Sequence, residues 1–226
     1  AIETTVASLD VDNSTSGNVD VAETDAVTIV KAVQATTGNI QVVAGGTITV
    51  DSAGAPANAV STLLGGTVVL DANGVASDVI INDGISSATG AITVTADNDV
   101  TFAAEGDITS TSGNVIVTAD ADSGAGGTDG ALTMVDGTVI NAGSGTIALS
   151  ADENITLGGL LTTNATDTAV TLTSTSGGIV DGGDADVDVV AASGRLVIDA
   201  VTGIGASGAI ETTVASLDVD NSTSGN

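Results

Sequence analysis

One motif recurs through the chain and limits it to very few architectures. A small residue, usually glycine, precedes a short alternating stretch: GNVDVAE from Gly17, GNIQVVA from Gly38, GTVVLDA from Gly66 and GAITVTA from Gly90. The series continues as GNVIVTA from Gly113, GTIALSA from Gly145, TAVTLTS from Thr168 and GRLVIDA from Gly194. The first apolar position of each motif holds Val19, Ile40, Val68, Ile92, Val115, Ile147, Val170 and Leu196. Two residues further on stand Val21, Val42, Leu70, Val94, Val117, Leu149, Leu172 and Ile198. Every one is Val, Ile or Leu. Alternate side chains of a strand face opposite ways, so each motif is predicted to be a strand with one apolar face. The β-branched majority favours the same backbone.

A longer repeat encloses the short one. Residues 1–18 and 209–226 are identical at all 18 positions, an offset of 208 residues. Eight units therefore average 26 residues, with individual spacings of 21 to 32. The chain reads as one full repeat plus the start of the next, a segment of a longer protein with tandem copies. A second short strand is expected after most motifs, at Val27-Thr28-Ile29, Ile48-Thr49-Val50, Val79-Ile80-Ile81 and Val100-Thr101-Phe102. The same holds at Leu132-Thr133-Met134, Ile155-Thr156-Leu157 and Val187-Asp188-Val189. Helical periodicity is absent. Asx-rich turns such as Asp97-Asn98-Asp99 suit the bends between strands.

Units this short cannot each close a core, but stacked as coils they share one. The expected fold is all-β: a parallel β-helix, one continuous solenoid of about eight coils per 208-residue repeat, with residues 209–226 opening the next. At about 4.8 Å per coil the repeat advances roughly 38 Å. The longest turn is expected at Asp120–Gly130. A train of β-sandwich domains also has short strands and frequent turns. The short unit, the aligned apolar columns and the lack of core aromatics favour the solenoid.

Composition removes most chemistry. The chain has no His, Cys, Trp or Tyr, and Phe102 is its only aromatic. Disulfides, thiol nucleophiles, the usual zinc sites and Ser-His-Asp triads are excluded. There are 29 acids against two bases, Lys31 and Arg195, for a net charge of −27. Two bases cannot neutralise a nucleic-acid backbone, and a single aromatic cannot stack bases, so nucleic acid is not an expected partner. Acidic disordered chains lack apolar material, whereas this one is 42% hydrophobic and is expected to fold. No apolar run reaches the length of a membrane span, and no membrane insertion is expected.

Carboxylates are the only abundant reactive groups. The candidate calcium ligands are Asp10, Asp12 and Asn13, their copies Asp218, Asp220 and Asn221, then Asp120, Asp122 and Asp129, and Asp181, Asp184 and Asp186. Asp, Asn and carbonyl oxygens suit calcium, although none of these groups has EF-hand spacing. The plainer reading is solvated turn acids that keep a fibre soluble. No cofactor is required. Pairs such as Asp184 with Asp186, or Asp120 with Asp122, resemble the acid pairs of glycosidases. Without His, Tyr or further bases around them, no catalytic residue is expected. Thr-x-Thr ladders of the ice-binding kind are missing, because only single coils carry Thr in both outward columns. Val69, Ile116, Ala148 and Val197 place an apolar stripe among those outward positions, a candidate for lateral self-association. Asn13, Asn154, Asn164 and Asn221 lie in Asn-x-Ser/Thr sequons.

The stretches GAITVTADNDVTFAAEGDITSTSGNVIVTA and GTIALSADENITLGG resemble the shafts of giant bacterial exoproteins and adhesins of the filamentous haemagglutinin type. The resemblance covers essentially the whole chain as a pattern. It implies a right-handed parallel β-helix, the hand that parallel crossovers also favour. It further implies export to the cell surface and use as an extracellular filament or adhesin stalk, with identical tandem repeats continuing the chain. A calcium- or polysaccharide-binding solenoid is the alternative, and a polysaccharide-degrading β-helix comes third.

Overall fold

A computed structural model describes residues 1–54, 58–121, 130–183 and 186–223. Its strands form a single all-parallel sheet of 23 strands wound into a β-solenoid of about nine turns. No helix occurs among the described residues, and none is long and apolar enough to cross a membrane.

Each coil visits three faces. The first face begins with Ile2–Thr4 and stacks Val19–Glu23, Ile40–Ala44, Val68–Ala72, Ile92–Ala96, Val115–Thr118, Ile147–Ala151 and Val170–Ser174. Residues 196–199 and then 217–220 complete it. All eight recurring motifs therefore lie on this face. The pairing joins Ile40 to Val68 and Val42 to Leu70, and then Val68 to Ile92 and Leu70 to Val94, so like positions stack on like. All sixteen inward aliphatics are buried.

The second face stacks residues 27–29, Ile48–Val50, Val79–Ile81, Val100–Phe102, Leu132–Met134, Ile155–Leu157 and Ile179–Asp181. Six of the seven expected second strands are found. Phe102 is fully buried, with Ile81 below it and Met134 above. The expected strand at Val187-Asp188-Val189 is corrected: its coil uses Ile179–Asp181 instead. Val187 is 45% exposed and Asp188 is buried, the inverse of an apolar inner row, and only Val189 begins a strand.

The third face stacks residues 31–34, Asn58–Thr62, Gly84–Ser87, Ile108–Ser110, Val139–Gly143, Gly159–Thr162 and 189–191. Its interior mixes Val60, Ile85, Ile108, Ile140 and Leu160 with Thr62, Ser87, Ser110 and Thr162. Of the longest expected turn, Asp120–Gly130, residues 122–129 lie outside the described residues.

Candidate functional site

Polar groups gather at the corners of the solenoid and in one cluster of acids. At the corner leading from the third face to the first, glycines of successive coils stand over one another. A Cβ on Gly66 would overlap the carbonyl of Gly38, one on Gly90 that of Gly66, and one on Gly113 that of Gly90. Gly145 repeats this against Gly113. The motif glycine is needed because backbones approach here closer than any side chain allows.

Hydroxyls on the third face close this corner. The Ser87 Oγ donates to Gly66 O at 2.9 Å and accepts from Gly90 N at 2.8 Å. Ser110 repeats the pattern with Gly90 O at 3.2 Å and Gly113 N at 2.9 Å. Thr62 donates to Gly66 O at 2.7 Å and Thr162 to Gly145 O at 2.6 Å. Each hydroxyl is buried and satisfied, as burial of a polar group requires.

The Asn after the glycine extends the ladder outward. Asn18 Oδ1 accepts from Asn39 N at 3.0 Å, Asn39 Oδ1 from Thr67 N at 3.0 Å, and Asn114 Oδ1 from Thr146 N at 3.0 Å. Turn carboxylates act alike. Asp99 Oδ1 accepts from Gly130 N at 3.0 Å and Ala131 N at 2.8 Å, and Asp107 Oδ1 accepts from Val139 N at 2.8 Å. Many Asx side chains at the turns thus bridge coils, a role that the expected local Asx turns, calcium ligands and solvated acids did not include.

The candidate calcium ligands separate into distinct settings. Asp10 and Asp12 are on the outer side of Ser8–Asn13, but alternation turns Asn13 away from them. Asn13 instead forms an Asx turn, its Oδ1 accepting from Thr15 N at 3.1 Å and its Nδ2 donating to Gly17 O at 3.1 Å. Asp12 pairs with Lys31 at 2.7 Å, and this hydrogen bond holds the ammonium pKa above its ordinary value. In the second copy Asp218 pairs with Arg195, while Asp220 is exposed and Asn221 Oδ1 is buried without a hydrogen-bond partner. Both bases of the chain are therefore held by the duplicated segment. Asp120 takes a left-handed φ of 55° at the start of its turn, and Asp122 and Asp129 lie outside the described residues.

One cluster of three acids forms among the described residues: Asp181, Asp188 and Glu211, with one carboxylate oxygen from each within 4.8 Å of the others. Only Asp181 was expected from sequence. Asp184 lies outside the described residues, and Asp186 is exposed beside a groove lined by Asp136, Thr138, Gly159 and Asp188. Asp181 and Asp188 are 7% and 3% exposed. Asp181 Oδ1 accepts from Gly183 N at 2.9 Å, and Asp188 Oδ2 accepts from Glu211 N at 2.8 Å. Glu211 Oε2 is buried and has no hydrogen-bond partner. Asp188 and Glu211 are 23 residues apart, about one coil, and that spacing was the signal available in the sequence. Three hard anionic oxygens at such separations repel one another and form a donor set of the type divalent cations take.

No protein-family model, curated protein or solved structure matches this chain.

Proposed function

We propose that this chain is a structural repeat of an extracellular filament or adhesin stalk at a bacterial cell surface, extended by identical tandem repeats. It has no catalytic role in this reading. The observation that supports it most is the unbroken ladder of parallel pairing on all three faces, coil after coil. Hydrogen bonds run along the axis, aliphatic stacks fill the interior, and Asx bridges tie turn to turn. Such a body lengthens without changing cross-section and has no internal sheet edges to aggregate. Its acidic surface limits sideways association, while the outward Val69, Ile116, Ala148 and Val197 offer a lateral contact. Cryo-electron microscopy of the tandem protein tests the reading. Smooth fibres with axial spacing near 4.8 Å are expected. Globular beads on linkers would overturn it.

A second reading, cation binding, is favoured by the buried unpartnered oxygen of Glu211 beside Asp181 and Asp188. Calcium titration followed by thermal melting tests it. A rise in melting temperature that Asp188→Asn abolishes supports binding at this cluster, and equal curves with and without calcium remove it.

A further inference from the structure

The two copies of the duplicated segment sit on different faces. In the first copy Asp10–Asn13 runs along the third face, under residues 31–34: Asp10 pairs with Lys31, Val11 with Ala32, Asp12 with Val33 and Asn13 with Gln34. In the second copy the same residues, Asp218–Asn221, lie on the first face, above residues 197–200. Over residues 10–13 the identical sequence has moved on by one face, whereas Thr4 and Leu9, on the first and second faces, have counterparts Thr212 and Leu217 on the third and first. Both placements point the same side chains inward. Leu9 and Val11 stand against Ile29 and Ala32, and Leu217 and Val219 stand against Leu196 and Ile198.

Each copy displays only one side of this strand's pairing. The first copy has the coil above it and the second copy the coil below. Superposed as one strand, they are compatible: residues 195–200 beneath, the next repeat's counterpart of 31–34 above. The ion pairs are compatible too. Asp218 is held by Arg195 from below, while Asp220, the counterpart of Asp12, faces the next repeat's lysine from above.

Resting on the tandem-shaft reading, we propose that successive 208-residue repeats join with a rotation of one face, a third of a turn, and share the strand 216–221. Each repeat then spans eight and one-third coils, roughly 40 Å. Surface features return to the same side only at every third repeat, about 120 Å along the shaft. Joining the repeats in phase instead would move 218–221 to the third face. That would break all six residue pairs between 195–200 and 216–221 and strip Asp218 from Arg195. The rotated joint retains those contacts and those of 10–13 with 31–34. The flanking residues 2–9 change neighbours, among them Val6 N on Glu23 and Ala7 O on Thr28 N, because a preceding coil occupies their place.

The chain has no cysteine, so disulfide mapping reads the joint cleanly. The test uses a two-repeat chain, residues 1–208 followed directly by 1–226, with Asp199→Cys and Asp220→Cys in the first repeat and at the joint. Those positions are paired neighbours in the rotated joint and stand on different faces in the in-phase one. A control chain carries Ala148→Cys and Thr171→Cys, neighbours within the repeat. Near-complete oxidation of both pairs is the expected result. A joint pair that stays reduced while the control closes overturns the rotation and leaves the shaft standing. If the control also stays reduced, the solenoid reading falls and the rotation with it.

Discussion

The first face and the corner that feeds it are built on opposite rules. On the face, Val68, Ile92 and Val115 repeat one shape in one column, and the interior is held by aliphatic burial. At the corner, Gly66, Gly90 and Gly113 repeat the absence of a side chain, and Ser87 and Ser110 replace aliphatics with satisfied hydroxyls. The face tolerates any aliphatic of suitable size. At Gly66, Gly90 and Gly113 the corner has no room for a Cβ, because what stands opposite is backbone. The aliphatic face drives folding, whereas the corner fixes how closely coils approach and so keeps the faces in register.

That contrast orders the expected mutational effects. Gly90→Val inserts atoms into the carbonyl of Gly66, and neither backbone can retreat without shifting a coil. A loss of about 4 kcal/mol or more is expected in chemical denaturation, the range reserved for a broken structural requirement. Leu70→Ala on the face leaves a cavity in a fully buried stack and should cost about 3 kcal/mol. If Leu70→Ala proves costlier than Gly90→Val, the proposed division between corner and face is wrong. Ser87→Ala removes a hydroxyl that donates to Gly66 O and accepts from Gly90 N. It should cost about 1–3 kcal/mol, because Gly90 N loses this buried acceptor, while Gly66 O keeps the hydroxyl of Thr62. Ser87→Val, a residue that would suit the face, should be no better than Ala here, which equilibrium unfolding of the two variants would check.

The same contrast explains what could be read without coordinates. Sixteen aliphatics at period two identified the first face, and triplets such as Val100-Thr101-Phe102 identified the second. The third face was hidden because its inward rows are mixed. Thr62, Ser87 and Ser110 occupy positions that an apolar pattern scores as outward. Thr62 caps Gly66 four residues on, but the role of Ser87 and Ser110 also depends on a glycine of the neighbouring coil, 21 and 20 residues away, and local alternation carries no such information. The acid cluster was legible only in part for a related reason. Asp181 leaves the second face, Asp188 precedes the third, and Glu211 arrives one coil later. Grouping acids by closeness in sequence gathered Asp181 with Asp184 and Asp186, whereas the fold gathers by coil.

The smallest effect concerns a carboxylate on the outside of the aliphatic face. Asp71 stands between Val43 below and Thr95 above, and partial burial raises its pKa above the ordinary carboxylate value. A raised pKa means that the folded state holds the proton more tightly than the unfolded chain does. The ionised form therefore costs stability at neutral pH. That cost is relieved as pH falls through the raised value, and it is gone below the ordinary carboxylate range. Asp71→Asn removes the term, so the variant should be slightly more stable at neutral pH, by no more than about 0.5 kcal/mol. The advantage should vanish in acid. With a net charge of −27, acid also relieves general repulsion, so only the difference between wild type and variant at two pH values isolates this residue. A constant difference across that range would show that desolvation on the outer face does not reach Asp71, and that burial effects are confined to the inner column.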